Sequence, residues 1–350
     1  MEKIHYSLLF SANLLGGAFW IRPFPWAMLV IVFYLSLSLW SSGKKGIAAA
    51  ILLLTLFLLP WIPGPRIEML DVGQGDAILI SGQSGKILVD TGPPSFHGGS
   101  SPVTHALETV GIGDLEHIFL THFDQDHRGG IESILARHKV KGGIWFREEH
   151  LFAKNAVRVL LAAERAGVPI RFITDQNSPT GFKCWLTPFT EGNNSSPLCL
   201  AAPSSQTSIL FTGDMGSAAE NWYLTHIHPF PKARILKVAH HGSSTSSNFA
   251  FLSKTGAETA LISVGARNRY GHPSADTLSR LDRMGIKIQR TDRDGSVSFY
   301  DWKSYLWPFT EDIALPPLAT LPPEPRLAID AAGASTSLLK PGSPATARRR

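Results

Sequence analysis

The chain has 350 residues, of which 44% are hydrophobic and 17% are charged, so it is apolar for a soluble enzyme and long enough for one large domain or two modest ones. Its net charge of +5 permits a polyanionic partner without indicating one. The two cysteines, Cys184 and Cys199, do not form a Cys-x-x-Cys pair, which argues against a thiolate metal site and leaves a disulfide open.

The hydrophobic excess lies in residues 1–64. The runs Trp26–Trp40 and Gly46–Ile62 carry no charge, and each is near the lower limit of about 17 residues for a membrane span. A weaker apolar stretch covers His5–Ile21. We therefore predict two or three transmembrane helices. A cleaved signal peptide is the alternative for the first stretch, and a buried core helix is the alternative for any one of them.

The orientation of these helices follows from the loop between the last two runs, which contains Lys44 and Lys45. The positive-inside rule places that loop in the cytoplasm. Everything after Pro63 would then face the periplasm or the cell exterior. The sequence thus predicts a protein of the inner (cytoplasmic) membrane with its main domain outside the cytoplasm.

Residues 65–308 are expected to form one globular α/β domain. Short apolar strands alternate there with turns rich in Gly, Pro, Asp and Ser. Residues 309–350 are rich in Pro, Ala, Leu and Ser, and we predict a disordered tail.

The most informative motif is an H-x-D-x-D-H cluster formed by His122, Asp124, Asp126 and His127. It follows a strand-like run and is expected to lie on one tight loop. Imidazole suits Zn and similar transition ions, whereas carboxylates suit harder ions such as Mn or Mg. A mixed set at this spacing indicates a two-metal site that activates water, against the alternative of a solvated surface loop.

Further polar groups follow other short apolar strands: Asp90, Asp214 and the pair His240-His241. Active-site loops collect at the C-terminal ends of strands, although an Asp beside Gly is commonly only a turn residue. Alternation along a strand would send His240 and His241 in opposite directions, so only one of them should face a given ion. The sequence leaves open which one.

Together these motifs resemble the metallo-β-lactamase superfamily, which implies an αββα sandwich. Asp90 matches the first family motif and residues 122–127 match the second. Asp214 matches the aspartate that bridges two metals, and His240 or His241 matches the late histidine ligand.

A narrower resemblance is to the C-terminal domain of ComEC-type DNA-uptake proteins of natural competence and transformation. It depends on four strings: Asp71–Ala77, Val89–Gly92, Lys237–Ser243 and Tyr270–Ser274. Bacterial phosphorylcholine esterases share much of this pattern. ComEC-type domains also commonly carry Asp where the wider superfamily has its second motif histidine, as at Asp124, and lack a separate histidine before the bridging aspartate.

The resemblance implies two divalent ions, Zn or Mn, and the following roles. One ion would be held by His122 and Asp124, the other by Asp126, His127 and one of His240 or His241, with Asp214 bridging. The expected catalytic residues are Asp126, His240, His241 and His272. His272 and whichever of His240 and His241 is not a metal ligand would contact the phosphate or protonate the leaving oxygen. The residues expected to support the ligands or line the pocket are Asp71, Gln74, Asp76, Asp90 and Ser243. A Gly-bracketed turn is the alternative for Gln74 and Asp76, and a Gly-His-Pro turn for His272.

The expected function is that of a membrane-tethered hydrolase, a phosphodiesterase or nuclease that cuts DNA during uptake. A basic stretch from Arg128 to Arg171 would attract the phosphate backbone, unless it is only a solvated face. The expected partners are DNA, the membrane and the remainder of an uptake channel, because ComEC-type proteins carry a large membrane domain upstream. The alternatives are a small-molecule phosphodiesterase or lactonase, a non-catalytic part of a channel, and a remnant of a split gene.

Overall fold

The computed structural model describes residues 26–58, 65–82, 84–95, 99–190, 192–204 and 207–300. All of them belong to one compact unit, Met1–Ile313. A second unit, Ala314–Arg350, lies outside the described residues, as do the predicted apolar stretch His5–Ile21 and the predicted tail at 309–350.

Two helices, α1 (Trp26–Ser41) and α2 (Lys45–Leu58), form where the sequence predicts apolar helices, and they pack against each other. Several large apolar side chains of α1 are more than half exposed: Phe33, Tyr34, Leu35, Leu37 and Trp40. Within the described ranges, no helix combines the length and the apolarity needed to cross a bilayer.

Thirteen strands within the described residues form two sheets. The first sheet contains β1 (Arg66–Met69), β2 (Ile78–Gly82), β3 (Gly85–Val89), β4 (Asp114–Phe119), β5 (Lys139–Phe146) and β6 (Ile170–Phe172). The second contains β7 (Phe182–Trp185), β8 (Leu198–Ala201), β9 (Ile209–Phe211), β10 (Ile235–Lys237), β11 (Thr259–Ile262) and β12 (Lys287–Arg290). The last strand, β13 (Val297–Tyr300), returns to the first sheet and pairs with β1 in antiparallel register.

The remaining helices follow in chain order: α3 (Pro102–Thr109), α4 (Gln125–Arg128), α5 (Ile131–Arg137), α6 (Ala156–Ala166), α7 (Ser217–His226), α8 (Phe249–Thr255), α9 (Ala275–Arg283) and α10 (Thr291–Asp294). Short 3-10 turns occur at Glu148–Phe152, Asn193–Ser195 and Ala239–Gly242.

The two sheets face each other across a buried apolar core to which both contribute. At its centre the rings of Phe119, Phe182 and Phe211 stack in sequence, with centroids 5.5 and 6.1 Å apart. A second core joins the outer face of the first sheet to α3, α5 and α6, and a third joins the second sheet to α7, α8 and α9. These four layers confirm the predicted αββα architecture.

Parallel pairing positions the loops that carry the polar motifs. Strand β3 runs parallel to β4, and β9 runs parallel to β10, so the chain leaves each pair at one edge of its sheet. Asp90 and the segment from Thr121 follow β3 and β4, whereas Asp214 and His240 follow β9 and β10. The two sheets therefore present their polar loops toward a common region.

Candidate metal centre

The H-x-D-x-D-H segment is not a single loop, as the spacing alone suggested. Asp126 and His127 lie in the short helix α4, and Asp124 occupies the position that caps its N-terminus. His122 precedes the helix, and its ring centroid lies 4.0 Å from that of His127. One helical turn thus brings two histidines from the same segment together although four residues separate them.

Asp214 lies at the centre of the candidate site. Its Oδ1 is 3.2 Å from Nε2 of His127, and its Oδ2 is 3.7 Å from Nε2 of His241 and 3.9 Å from Nε2 of His122. This carboxylate, from the second sheet, therefore contacts or approaches histidines from both halves of the sandwich.

The most compact ligand group combines Asp126, His127, Asp214 and His241. One potential ligand atom from each residue lies within 4.8 Å of all the others. His241 is joined to Asp126 by a 3.1 Å contact between Nε2 and Oδ2. The structure thus places His241, rather than His240, in this group.

The backbone explains how neighbouring histidines take different positions. His240 and His241 lie in the 3-10 turn after β10, and both have left-handed backbone conformations, with φ of 50° and 53°. Alternation along a strand therefore does not apply to them. Two consecutive non-glycine residues in this region store strain of about 1–3 kcal/mol each, a pattern typical of functional sites.

A second, more open group surrounds the other side of Asp214. His122 Nε2 lies 3.6 Å from Asp124 Oδ2, and His240 Nε2 lies 3.9 Å from Asp214 Oδ2. The side chain of Asp124 is 61% exposed and that of His240 is 29% exposed, whereas Asp214 is buried. Solvent therefore reaches the centre from this side, where a catalytic metal site would leave room for a substrate.

The Nδ1 atoms of three histidines face hydrogen-bond acceptors. Nδ1 of His241 donates to the carbonyl oxygen of Ser263 at 2.9 Å, and Nδ1 of His127 donates to Asp90 Oδ2 at 2.8 Å. The Thr121 hydroxyl donates to Asp90, so His122 Nδ1 donates to that hydroxyl oxygen at 3.0 Å. A neutral imidazole that donates from Nδ1 presents an unprotonated Nε2, the form in which histidine binds a metal.

Three buried atoms at the centre have no hydrogen-bond partner among the described residues: His122 Nε2, His127 Nε2 and Asp214 Oδ1. Leaving a buried polar atom unpaired costs about 1–3 kcal/mol. All three can offer a lone pair to a cation, and both histidine atoms lie within 3.9 Å of a carboxylate oxygen of Asp214. The residues present therefore fit divalent cations, and the mixed imidazole and carboxylate set suits Zn or Mn.

The electrostatics agree with this donor set. Burial would lower the pKa of His241, but Asp214 and Asp76 outweigh burial and raise that pKa to about 10. The pKa of His127 is also well above its usual value, because Asp214, Asp90 and Asp76 outweigh the effect of burial. The pocket thus carries an excess of negative charge that protons, or a cation, must balance.

Asp90 supports the ligands without joining the compact group. Its carboxylate accepts hydrogen bonds from the Thr121 backbone amide at 2.8 Å, from the Thr121 hydroxyl at 2.7 Å and from His127 Nδ1. It therefore turns Nε2 of His127 toward Asp214. Its own backbone is left-handed, with φ of 57°, a conformation that Asn also tolerates.

We expect Asp90→Asn to lower metal affinity by about 10- to 100-fold while the fold persists. An amide has only one oxygen to accept these bonds, and its NH₂ group would face His127 Nδ1 and favour a proton on Nε2. Metal titration with Zn and Mn measures the effect, and Asp282→Asn on the exposed surface of α9 is the matched control. Unchanged affinity would show that Asp90 does not orient His127.

Asp76 is buried beside the centre and is paired with Lys237, a residue that sequence reasoning did not assign. Lys237 Nζ lies 2.5 Å from Asp76 Oδ2, and both side chains are almost fully buried. Although burial would raise the pKa of Asp76, Lys237, His241 and His127 hold it below its usual value. The sequence signal that could have identified this pair is the single charged residue, Lys237, within the apolar strand β10. A lysine is almost never buried unless it is paired, so its position in such a strand predicts an acidic partner.

The string Asp71–Ala77 reaches the centre through its backbone. The amide of Asp76 donates to the carbonyl oxygen of Asp126 at 3.1 Å, and a Cβ at Gly75 would clash with that same oxygen. Gly75 also has a φ of +141°, which disfavours any other residue there. The close approach of two backbones explains the glycine in this string.

Other predicted residues lie farther out. Asp71 is exposed and accepts the amide of Gly73, as a turn residue does, and Gln74 accepts the amide of Gly265. The Ser243 hydroxyl bonds to that of Thr245. The ring centroid of His272 lies 5.6 Å from that of His240, at the open side of the centre.

Asn193 and Ser196, in the loop between β7 and β8, complete the support. The Asn193 side-chain amide nitrogen lies 3.1 Å from His240 Nδ1 and 3.4 Å from His240 Nε2, so it contacts both nitrogens of that ring. The Ser196 hydroxyl oxygen accepts the amide of Asp214 at 3.3 Å and lies 3.5 Å from His122 Nδ1. Asn193 thus holds the ring of His240, whereas His241 lies within the ligand group.

Two members of the predicted basic stretch are buried and do not face solvent. Arg147 is buried and donates to the carbonyl oxygens of Thr187, Phe189 and Ser195, and Arg128 is buried against Phe123. Ion pairs with acidic neighbours engage two further members, Arg137 and Lys141. The exposed members of the stretch are Lys139, Lys141, Arg137, Lys154, Arg158, Arg165 and Arg171.

Comparison with known proteins gives a family and several relatives. Residues 70–266 match the model of the metallo-beta-lactamase superfamily. Over 73% of its length the chain is 32% identical to ComE operon protein 3 of Bacillus subtilis (strain 168), covering 35% of that protein. It is 26% identical over 65% of its length to Competence protein ComA of Neisseria gonorrhoeae, covering 31% of it.

Recombination protein 2 of Haemophilus influenzae is 29% identical over 71% of this chain, which covers 30% of that relative. The chain therefore spans about a third of the length of these curated relatives.

Proposed function

The chain belongs to the metallo-β-lactamase superfamily, and from that premise we propose that it is a metal-dependent phosphodiesterase that cleaves DNA during uptake. The observation that carries the proposal is the convergence of three histidines, His122, His127 and His241, whose Nε2 atoms face Asp214. A solvated surface cluster would not bury the Nε2 atoms of His122 and His127 without a hydrogen-bond partner among the described residues.

When bound, two divalent cations would supply Lewis-acid activation of water and neutralise charge on phosphoryl oxygens. The protein's own contribution is to fix the ligand set. Asp90 and Ser263 accept hydrogen bonds from Nδ1 of His127 and His241, and Asp214, which lies within 3.9 Å of His122, His127, His240 and His241, would hold the cations together with them. The buried side of the centre excludes bulk water, which strengthens these electrostatic interactions.

Proton transfer to the leaving oxygen is assigned to the open side. Burial lowers the pKa of His240 and of His272, so both rings are neutral near pH 7 and can donate a hydrogen bond. The Nε2 atom of His240 lies 3.9 Å from Asp214 Oδ2, and the Asn193 side-chain amide contacts the same ring. His240 is therefore our candidate for the group that stabilises the leaving oxygen, with His272 behind it.

The choice of DNA as substrate is supported by the competence-protein relatives and by exposed groups beside the open side. Arg267 and Arg269 are exposed near His272, and the guanidinium carbon of Arg269 lies 5.2 Å from the ring centroid of exposed Tyr270. Exposed cations beside an aromatic ring are typical of surfaces that bind single-stranded nucleic acid.

We further propose that the domain is tethered to the inner membrane and faces the periplasm or cell exterior, as part of a DNA-uptake channel. The exposed apolar side chains of α1 support this placement, as do Lys44, between α1 and α2, and Lys45, at the start of α2. An interfacial location of these two helices would be the alternative arrangement.

A nuclease assay tests the function directly. The purified protein, supplied with Mn or Zn, should cleave single-stranded or duplex DNA and the small diester bis(p-nitrophenyl) phosphate, and a chelator should abolish both activities. Cleavage of the small diester alone would favour a small-molecule phosphodiesterase, and hydrolysis of a lactone alone would favour a lactonase. Metal binding with none of these activities would favour a non-catalytic part of a channel.

A charge variant separates DNA binding from chemistry. Replacing Arg267 and Arg269 by Ala should raise KM for DNA and leave KM for the small diester unchanged. The slope of log affinity for DNA against log salt concentration should fall by about one for each phosphate contact that is lost. Arg283→Ala, on the exposed surface of α9, is the matched control. Equal effects on both substrates would assign the arginines to folding instead.

A further inference from the structure

The two cysteines of the chain stand directly opposite each other. Cys184 on β7 and Cys199 on β8 are register partners in an antiparallel pair, and their sulfurs lie 2.6 Å apart as thiols. Both side chains are buried in the core between the two sheets. Facing residues of an antiparallel pair have Cα atoms about 4.5–5.5 Å apart, within the window of about 4.4–6.8 Å that a disulfide requires.

The segment that these residues enclose supports the candidate site. The loop from β7 to β8 contains Asn193, which bonds to His240, and Ser196, which bonds to the Asp214 amide. Asn194 in the same loop accepts the amides of Gly216 and Ala219 at the start of α7. The cysteines therefore stand at the base of a loop that fixes two of the candidate functional side chains.

We propose that Cys184 and Cys199 form a disulfide that closes the base of this supporting loop. The proposal rests on the placement of the domain outside the cytoplasm, where disulfides persist. A cross-link around a loop of about 15 residues restricts the unfolded chain and holds the two strands in register. The loop would then keep Asn193 and Ser196 in place without depending on metal.

The oxidation can be written as thiol–disulfide exchange with a protein dithiol–disulfide oxidant. The thiolate of one cysteine attacks the oxidant's disulfide and forms a mixed disulfide; the second cysteine then displaces the oxidant's sulfur. In forming the new bond, the two cysteines lose two electrons and two protons. The oxidant's disulfide gains them and is reduced to a dithiol. Burial and the neighbouring Cys184 raise the pKa of Cys199, so the exchange takes place before the sheets close over the pair.

The test compares the full chain isolated from the cell envelope with the same chain refolded in a glutathione redox buffer. Each sample is denatured and treated with a maleimide-polyethylene glycol, before and after reduction. We expect modification only after reduction, at two sites per chain. Reduction should also lower Tm by roughly 5–10 °C, and Cys184→Val combined with Cys199→Val should retain the fold but show no response to reductant.

The possible outcomes distinguish the proposed disulfide from the proposed location of the domain outside the cytoplasm. Two free thiols in both preparations would overturn the disulfide. Two free thiols in the cellular protein, with a bond formed on refolding, would support the pairing but overturn the extracytoplasmic placement. Nuclease activity is measured on the same samples, so a disulfide without activity would leave the cross-link standing and count against the proposed function alone.

Discussion

Replacing Asp214 by Ala is expected to reduce metal-dependent hydrolysis by at least about 1,000-fold, which corresponds to roughly 4 kcal/mol of transition-state stabilisation. Its carboxylate lies within 3.9 Å of His127 and His241 in one ligand group and of His122 and His240 in the other. The substitution therefore removes an oxygen ligand from both groups. Only the carboxylates of Asp124 and Asp126 would then remain in the two groups to compensate the charge of the cations. Hydrolysis of bis(p-nitrophenyl) phosphate and metal content per chain measure the effect.

The control for this variant is Asp282→Ala, which removes an exposed carboxylate from α9 at a distance from the metal centre in sequence and structure. Both proteins should unfold in one transition, because the αββα core does not include either side chain. An Asp214→Ala protein with full metal content and normal turnover would refute the binuclear assignment and leave only the fold.

Lys237→Met is expected to destabilise the domain by about 3–5 kcal/mol, measured by urea unfolding in the presence of chelator. Met approximates the apolar stem of Lys but removes the ammonium group that lies 2.5 Å from Asp76. Asp76 would remain as a charge buried without its main partner, and the carbonyl oxygen of Gly213 would lose a second, 3.4 Å contact. The loss of charge compensation, not of volume, causes the effect.

A double variant tests that cause. Combining Lys237→Met with Asp76→Asn removes both charges, and we expect it to be more stable than the sum of the single variants predicts, with a coupling of about 0.5–3 kcal/mol. Lys254→Met, on the exposed surface of α8, serves as control for the loss of a lysine. A Lys237→Met protein as stable as the parent would mean that Asp76 finds compensation elsewhere.

Sequence reasoning identified the polar strings because each combines rare chemistry with a short spacing, as in His122–His127, or follows an apolar strand, as Asp214 does. Those strands also predicted the layered α/β fold, which the structure and the family match confirm. The structure brings the strings together at one edge, as the C-terminal ends of parallel strands predict.

Other features depend on contacts that spacing does not encode. The choice between His240 and His241 follows from a left-handed backbone and from Asn193 and Ser263, residues with no motif of their own. The predicted basic stretch included two buried members because a charge count cannot tell an exposed arginine from Arg147, which is buried and bonded to carbonyl oxygens.

The arrangement of the ligands has a consequence for biosynthesis. His122, Asp126 and His127 belong to the first sheet's loops, whereas Asp214 and His241 belong to the second, more than eighty residues later in the chain. The early half alone lacks Asp214 and His241, so the ligand group of Asp126, His127, Asp214 and His241 is incomplete while only that half has been synthesised. Its assembly therefore has to wait until the late half has emerged and docked.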